Sequence, residues 1–110
     1  MTLKGKLTPS EEFVMKAIWD CKTEPVLQDI LLQVNDLHGK GWSPQTVSTF
    51  ISKLCRKNFI LMQRNGKTYR YKVLVQERDY QQYKLKYMLM YIYNNNIELF
   101  LEDVNGLKNN

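Results

Sequence analysis

Histidine occurs once in this chain, at His38, and cysteine twice, at Cys21 and Cys55. Two thiols so far apart form neither a disulfide framework nor a close-spaced metal pair, and a lone histidine has no second ligand or base nearby in sequence. Both cysteines fall among apolar residues, so they are expected to be small core side chains in a reducing compartment. The chain has no nucleotide-binding glycine motif, nucleophile elbow or metal motif. Glu98, Glu102 and Asp103 are acidic neighbours with nothing to position a substrate beside them. No cofactor, metal or small-molecule substrate is expected, and the chain does not read as an enzyme.

Long apolar runs are missing too. The most apolar stretch, Leu85 to Tyr93, is too short to cross a bilayer and is interrupted by Lys86. Residues Met1 to Thr8 lack the apolar segment of a signal peptide. The expected location is the cytoplasm, without a membrane partner.

The most informative absence is of acid. Between Asp36 and Glu77 there is none, while Lys40, Lys53, Arg56, Lys57, Arg64, Lys67, Arg70 and Lys72 all fall there. The whole chain carries a net charge of +5, so the remainder is slightly acidic. An uninterrupted basic block of this kind suits a polyanion.

What is present, 110 residues with 44% hydrophobic content, allows one compact domain and a small appendage. Thr8-Pro9-Ser10-Glu11 predicts a capped helix start, with Val14, Ala17, Ile18 and Cys21 as its buried stripe to about Asp20. Pro25 is expected to open a second helix, with Leu27, Ile30, Leu31 and Val34 inward, ending near Asp36. His38 to Gly41 reads as a loop. Ser43-Pro44 predicts a third helix, with Val47, Phe50, Ile51 and Leu54 buried. Its other face carries Gln45, Thr49, Ser52 and Arg56, flanked by Thr46, Ser48 and Lys53. Short hydroxyls, an amide and cations without an acid suit insertion into a DNA groove.

Two strand-like runs, Ile60 to Arg64 and Lys67 to Val73, flank Asn65-Gly66, a strong hairpin signal. Arg64, Lys67 and Arg70 would make this hairpin a basic wing. Helical periodicity then returns from Glu77 to Tyr93 and again from Ile97 to Val104, separated by Asn94 to Asn96, with a frayed end from Gly106. Met15, Met62, Met88 and Met90 are expected to be core filler. The fold class is therefore mainly α with a small β-hairpin wing: a winged helix-turn-helix head over residues 1–76 and a helical tail over residues 77–110. The tail has little chain of its own to pack on, so Tyr83, Tyr87, Leu89, Tyr91, Ile92, Leu99, Phe100, Leu101 and Val104 are expected to form a homodimer interface. Ser43, Gln45, Thr46, Ser48, Thr49, Ser52, Lys53, Arg56, Arg64, Lys67 and Arg70 are the expected DNA-binding set.

One ordered series runs Leu7-Thr8-Pro9-Ser10-Glu11, Val14-Met15, Ile18-Trp19, Trp42-Ser43-Pro44, Thr46-Val47 and Thr49. It continues through Leu54, Arg56-Lys57, Arg64-x-Gly66-Lys67, Tyr71 and Leu74-Val75 to Tyr80. In this the chain resembles the penicillinase repressor (BlaI/MecI/CopY) family over roughly residues 7–104. The resemblance implies a dimeric repressor that binds a dyad-symmetric double-stranded operator. Several positions depart from the family pattern. Glu12 stands where an aromatic is usual, with Phe13 beside it; Ser48 replaces a common basic residue; Asn58 replaces a helix-ending glycine. No cysteine follows Cys55, whereas the copper-responsive branch carries a C-terminal cluster. Leu99-Phe100-Leu101-Glu102-Asp103 stands where the β-lactam branch has its Asn-Phe cleavage site. The family also continues into a further helix, so a smaller interface is expected here. The alternative function is a winged-helix protein-interaction or anti-repressor module without operator binding.

Overall fold

A computed structural model describes residues 6–108, apart from the side chains of Leu37 and His38. The expectation about the His38 side chain therefore lies outside the described residues. Residues up to Glu77 form one compact unit, and those from Arg78 onward form another.

In the first unit, helix α1 spans Pro9–Asp20. Thr8 Oγ1 accepts from the Glu11 amide at 3.2 Å, and Glu11 Oε1 accepts from the Thr8 amide at 2.8 Å. This reciprocal box satisfies two backbone donors that the first turn cannot pair itself. Helix α2 spans Leu27–His38, beginning later and ending later than its sequence suggests. Pro25 does not open it, because that residue is buried with its carbonyl accepting from the Tyr71 amide at 3.0 Å. It serves the edge of the hairpin instead. Asp29 Oδ2 accepts from the Val26 amide at the start of α2, and Gly39, at φ 61°, ends the helix in the left-handed conformation.

Helix α3 spans Pro44–Arg56, with the Ser43 side chain accepting from the Thr46 amide. Asn58 takes φ 62°, so it fills the role of the expected glycine. Strands β1 (Ile60–Asn65) and β2 (Thr68–Val73) then pair antiparallel, with Ile60 opposite Val73 and Asn65 opposite Thr68. Val14, Met15, Ala17 and Ile18 of α1, Ile30 and Val34 of α2, and Val47, Ile51 and Leu54 of α3 are all buried. Phe59, Ile60, Tyr71 and Val75 close the core from the hairpin side. Trp19 Nε1 donates to the Val75 carbonyl at 2.9 Å, tying the chain after β2 to α1. Of the methionines expected in the core, Met15 is buried, but Met62 is 51% and Met88 38% exposed.

The second unit holds α4, which begins at Glu77 and reaches Tyr87, and continues as a π-helical turn over Met88–Ile92. Tyr80, Tyr83, Tyr87 and Tyr91 form a ladder of tilted ring contacts 5.0 to 6.4 Å between centroids. Asn94 and Asn95 adopt positive φ and turn the chain, and Asn96 caps α5 (Ile97–Leu107) through the Leu99 amide. This helix includes Gly106 and Leu107, which were expected to be frayed; the rest of that expectation, at Asn109 and Asn110, lies outside the described residues. Phe100 is buried and meets Tyr93 edge-on at 5.2 Å. Among the described residues, no helix is long and apolar enough to cross a membrane.

Candidate nucleic-acid interface

The apolar stripe of α3 fixes what its other side presents. With Val47, Ile51 and Leu54 inward, helical spacing turns Gln45, Ser48, Thr49, Ser52, Lys53 and Arg56 outward, and all six are exposed. Ser43 is exposed and Thr46 half-buried, and their hydroxyls are joined at 3.0 Å within the cap. These two are thus occupied in starting the helix. The Thr49 hydroxyl donates to the Gln45 carbonyl at 3.0 Å, which leaves its lone pairs facing out. Lys53 lies 5.6 Å from the Phe50 ring.

The basic block sorts into cations that are free to meet a ligand and cations that are not. Lys57 Nζ donates to Glu11 Oε1 at 2.6 Å and also to the Lys6 carbonyl. Glu11 is only 1% exposed. Burial pushes its carboxyl up, but hydrogen bonds from Lys57 and the Thr8 amide outweigh this and hold it below the usual range. Lys40 stands 4.0 Å over the Phe13 ring and 5.9 Å from that of Trp42. Lys53, Arg56, Lys67 and Lys72 are exposed and form no ion pair among the described residues. Lys72 was absent from the expected contact set, although the unbroken basic block had already included it.

At the hairpin tip the central turn residues are Gly66 and Lys67, not Asn65 and Gly66, because Asn65 pairs with Thr68. Gly66 takes φ 68°, as the first central position of a type II′ turn requires. Lys67 consequently stands at the apex. Arg64 donates from Nε to the Gly66 carbonyl at 3.0 Å and lies 6.0 Å from the Tyr69 ring. Arg70 differs from the expectation of an outward contact: it is half-buried, and its guanidinium donates to the Glu24 carbonyl at 2.6 Å.

In the tail, Tyr91 (66% exposed), Ile92, Leu99, Leu101 and Val104 are exposed apolar residues, as are Leu85, Ile97 and Leu107, which lie outside the expected interface set. Tyr83, Tyr87 and Leu89 are half-buried. Phe100 departs from the expected interface, since its own chain already covers it. Among the described residues, no group of acidic, histidine and cysteine side chains could hold a metal. Burial pushes both the Cys21 and the Cys55 thiol up, so both are protonated near neutral pH, as packing residues would be.

The profile of the Penicillinase repressor family matches residues 7–105. Methicillin resistance regulatory protein MecI from Staphylococcus aureus (strain N315) is 32% identical over 77 residues, covering 67% of this chain. MecI from Mammaliicoccus sciuri is 31% identical over a match of the same length. The chain spans 58% of the length of these curated relatives. The solution structure of Bacillus licheniformis BlaI, monomeric and in complex with the blaP half-operator, superposes with a TM-score of 0.57 at 25% identity. That match covers 73% of this chain and 94% of the BlaI chain.

Proposed function

The chain belongs to the penicillinase repressor family, and from that premise we infer that it is a sequence-specific transcriptional repressor, binding a dyad-symmetric operator as a homodimer in the cytoplasm. The observation that carries this reading is the outer face of α3, where Gln45, Ser48, Thr49, Ser52 and Arg56 stand exposed on a helix without an acidic residue. Small polar side chains let a helix approach the floor of the major groove, where an amide or guanidinium can read base edges. Lys53, Arg64 and Lys67 supply phosphate contacts around it, and the amides at the Ser43 cap offer a helix start to another phosphate. The half-operator complex of BlaI supports DNA binding by a chain of this fold. No catalytic role is assigned to any residue.

The test is fluorescence anisotropy on a duplex taken from the intergenic DNA upstream, chosen for an inverted repeat, against a scrambled duplex. Affinity for the repeat should exceed that for the scramble by on the order of a thousandfold and fall log-linearly with salt. Equal affinity for both duplexes would sink the reading and favour a winged-helix module that contacts protein.

A further inference from the structure

The segment between α2 and α3 gives the recognition helix little direction of its own. Gly39 and Gly41 hold φ of 61° and 64°, and a Cβ on either would meet nothing within 4 Å. These glycines let the chain turn and leave it pliable. Lys40, over the Phe13 and Trp42 rings, holds the middle of the segment, and Asn35 holds its end. Asn35, in the last turn of α2, accepts from the Trp42 amide at Oδ1 (2.8 Å) and donates from Nδ2 to the Trp42 carbonyl (3.2 Å). A carboxamide that satisfies both backbone groups of one residue imitates a strand partner and fixes that residue in position and rotation. The Trp42 ring lies against Phe50 of α3 at 5.2 Å. The next residue, Ser43, caps α3. A short, stiff path therefore runs from α2 to the first turn of α3.

Resting on the DNA reading above, we propose that Asn35 is a positioning residue that sets sequence discrimination by holding the first two turns of α3, with Gln45, Ser48 and Thr49, against the base edges. Hydrogen bonds to bases fail on a displacement of about an ångström. Phosphate contacts made by long, flexible lysines tolerate it. Freeing Trp42 thus removes discrimination and spares general affinity for DNA.

The experiment begins with selection of duplexes from a randomised pool by the full chain. Wild type, Asn35→Ala, Asn35→Asp and Gln45→Ala are then measured on the selected duplex, on its single-base-pair variants and on random duplex, across salt concentrations. Asn35→Asp keeps the acceptor for the Trp42 amide and nearly the original shape, while losing the donor to its carbonyl. It remains informative even if the alanine variant fails to fold. Both Asn35 variants should lose discrimination roughly tenfold or more at the base pairs where Gln45→Ala also relaxes it. Affinity for random duplex and the salt slope should stay within about twofold of wild type. Parallel losses on selected and random duplexes would assign Asn35 a merely structural role and overturn the proposal, as would intact discrimination. Failure of the wild type to select any sequence would bring down the DNA reading itself, before any variant is compared.

Discussion

Glu11 has two duties that its sequence position shows only in part. As the third residue of a capping box it is legible from Thr8-Pro9-Ser10-Glu11; as the buried partner of Lys57, 46 residues away, it is not. Glu11→Gln keeps an acceptor for the Thr8 amide and removes the charge opposite Lys57. It should destabilise the fold by about 3 kcal/mol at neutral pH, the low end for breaking a buried pair, because Lys57 keeps 28% of its side chain in water. The folded-state carboxyl lies below its ordinary value, so the pair's contribution is complete above the unfolded carboxylate range. It is lost as pH falls through the folded value. The difference between variant and wild type in urea melts should therefore shrink on acidification below about pH 4. A deficit that persists undiminished in acid would mean that packing, not charge, holds Glu11. Sequence alone counts Lys57 in the basic block without showing its partner, because like charges in a run look equivalent until the fold gives each its neighbours. Lys40 and Arg70 differ from Lys67 for the same reason.

Elements were legible where local chemistry decided them and illegible where a distant strand did. Thr8-Pro9 and Ser43-Pro44 start helices because the caps are satisfied within three residues. Pro25 offers the proline without a hydroxyl cap before it, the Tyr71 amide claims its carbonyl, and α2 starts later. The hairpin was legible as a hairpin, yet its register was not. A turn centred on Asn65 and Gly66 would set Arg64 directly opposite Lys67, a repulsive cross-strand pair. The observed register sets Arg64 opposite Tyr69 and puts Lys67 at the apex. This predicts a division of labour within the wing. Lys67→Ala should flatten the slope of log affinity against log salt by roughly one unit. Arg70→Ala should leave the slope unchanged and cost about 1 kcal/mol of stability, through loss of the bond to the Glu24 carbonyl. Anisotropy titrations at several salt concentrations, with thermal melts alongside, separate the two. Equal flattening by both would return Arg70 to the phosphate-contacting set.

At the scale of the whole molecule, the proposed two-fold operator demands that a second head be held at a helical-turn spacing. The tail carries exposed apolar surface that a second copy could cover. Tyr91, Ile92 and Leu101 are 66%, 63% and 51% exposed, whereas Phe100 is 7% exposed and packed against Tyr93. Pattern alone ranked these residues together, since an aromatic on a short helix looks the same whether its own chain or a partner covers it. The distinction decides which substitution tests assembly. Phe100→Asp would bury a charge inside the tail and disrupt its fold, so it reports nothing about a partner. Leu101→Asp puts the charge on a surface already wet in the single chain, and the subunit should keep its circular dichroism. If Leu101, Val104 and Tyr91 meet a second copy, that charge becomes desolvated only in the dimer. Sedimentation equilibrium should then show a monomer–dimer equilibrium for the wild type at micromolar concentration and monomers for Leu101→Asp. Operator affinity should fall with it by on the order of a hundredfold, because the second head no longer binds as an intramolecular event. Affinity for a half-operator duplex should be untouched, since one head suffices there. A wild type that remains monomeric both free and on the full operator would remove the tail's assigned role.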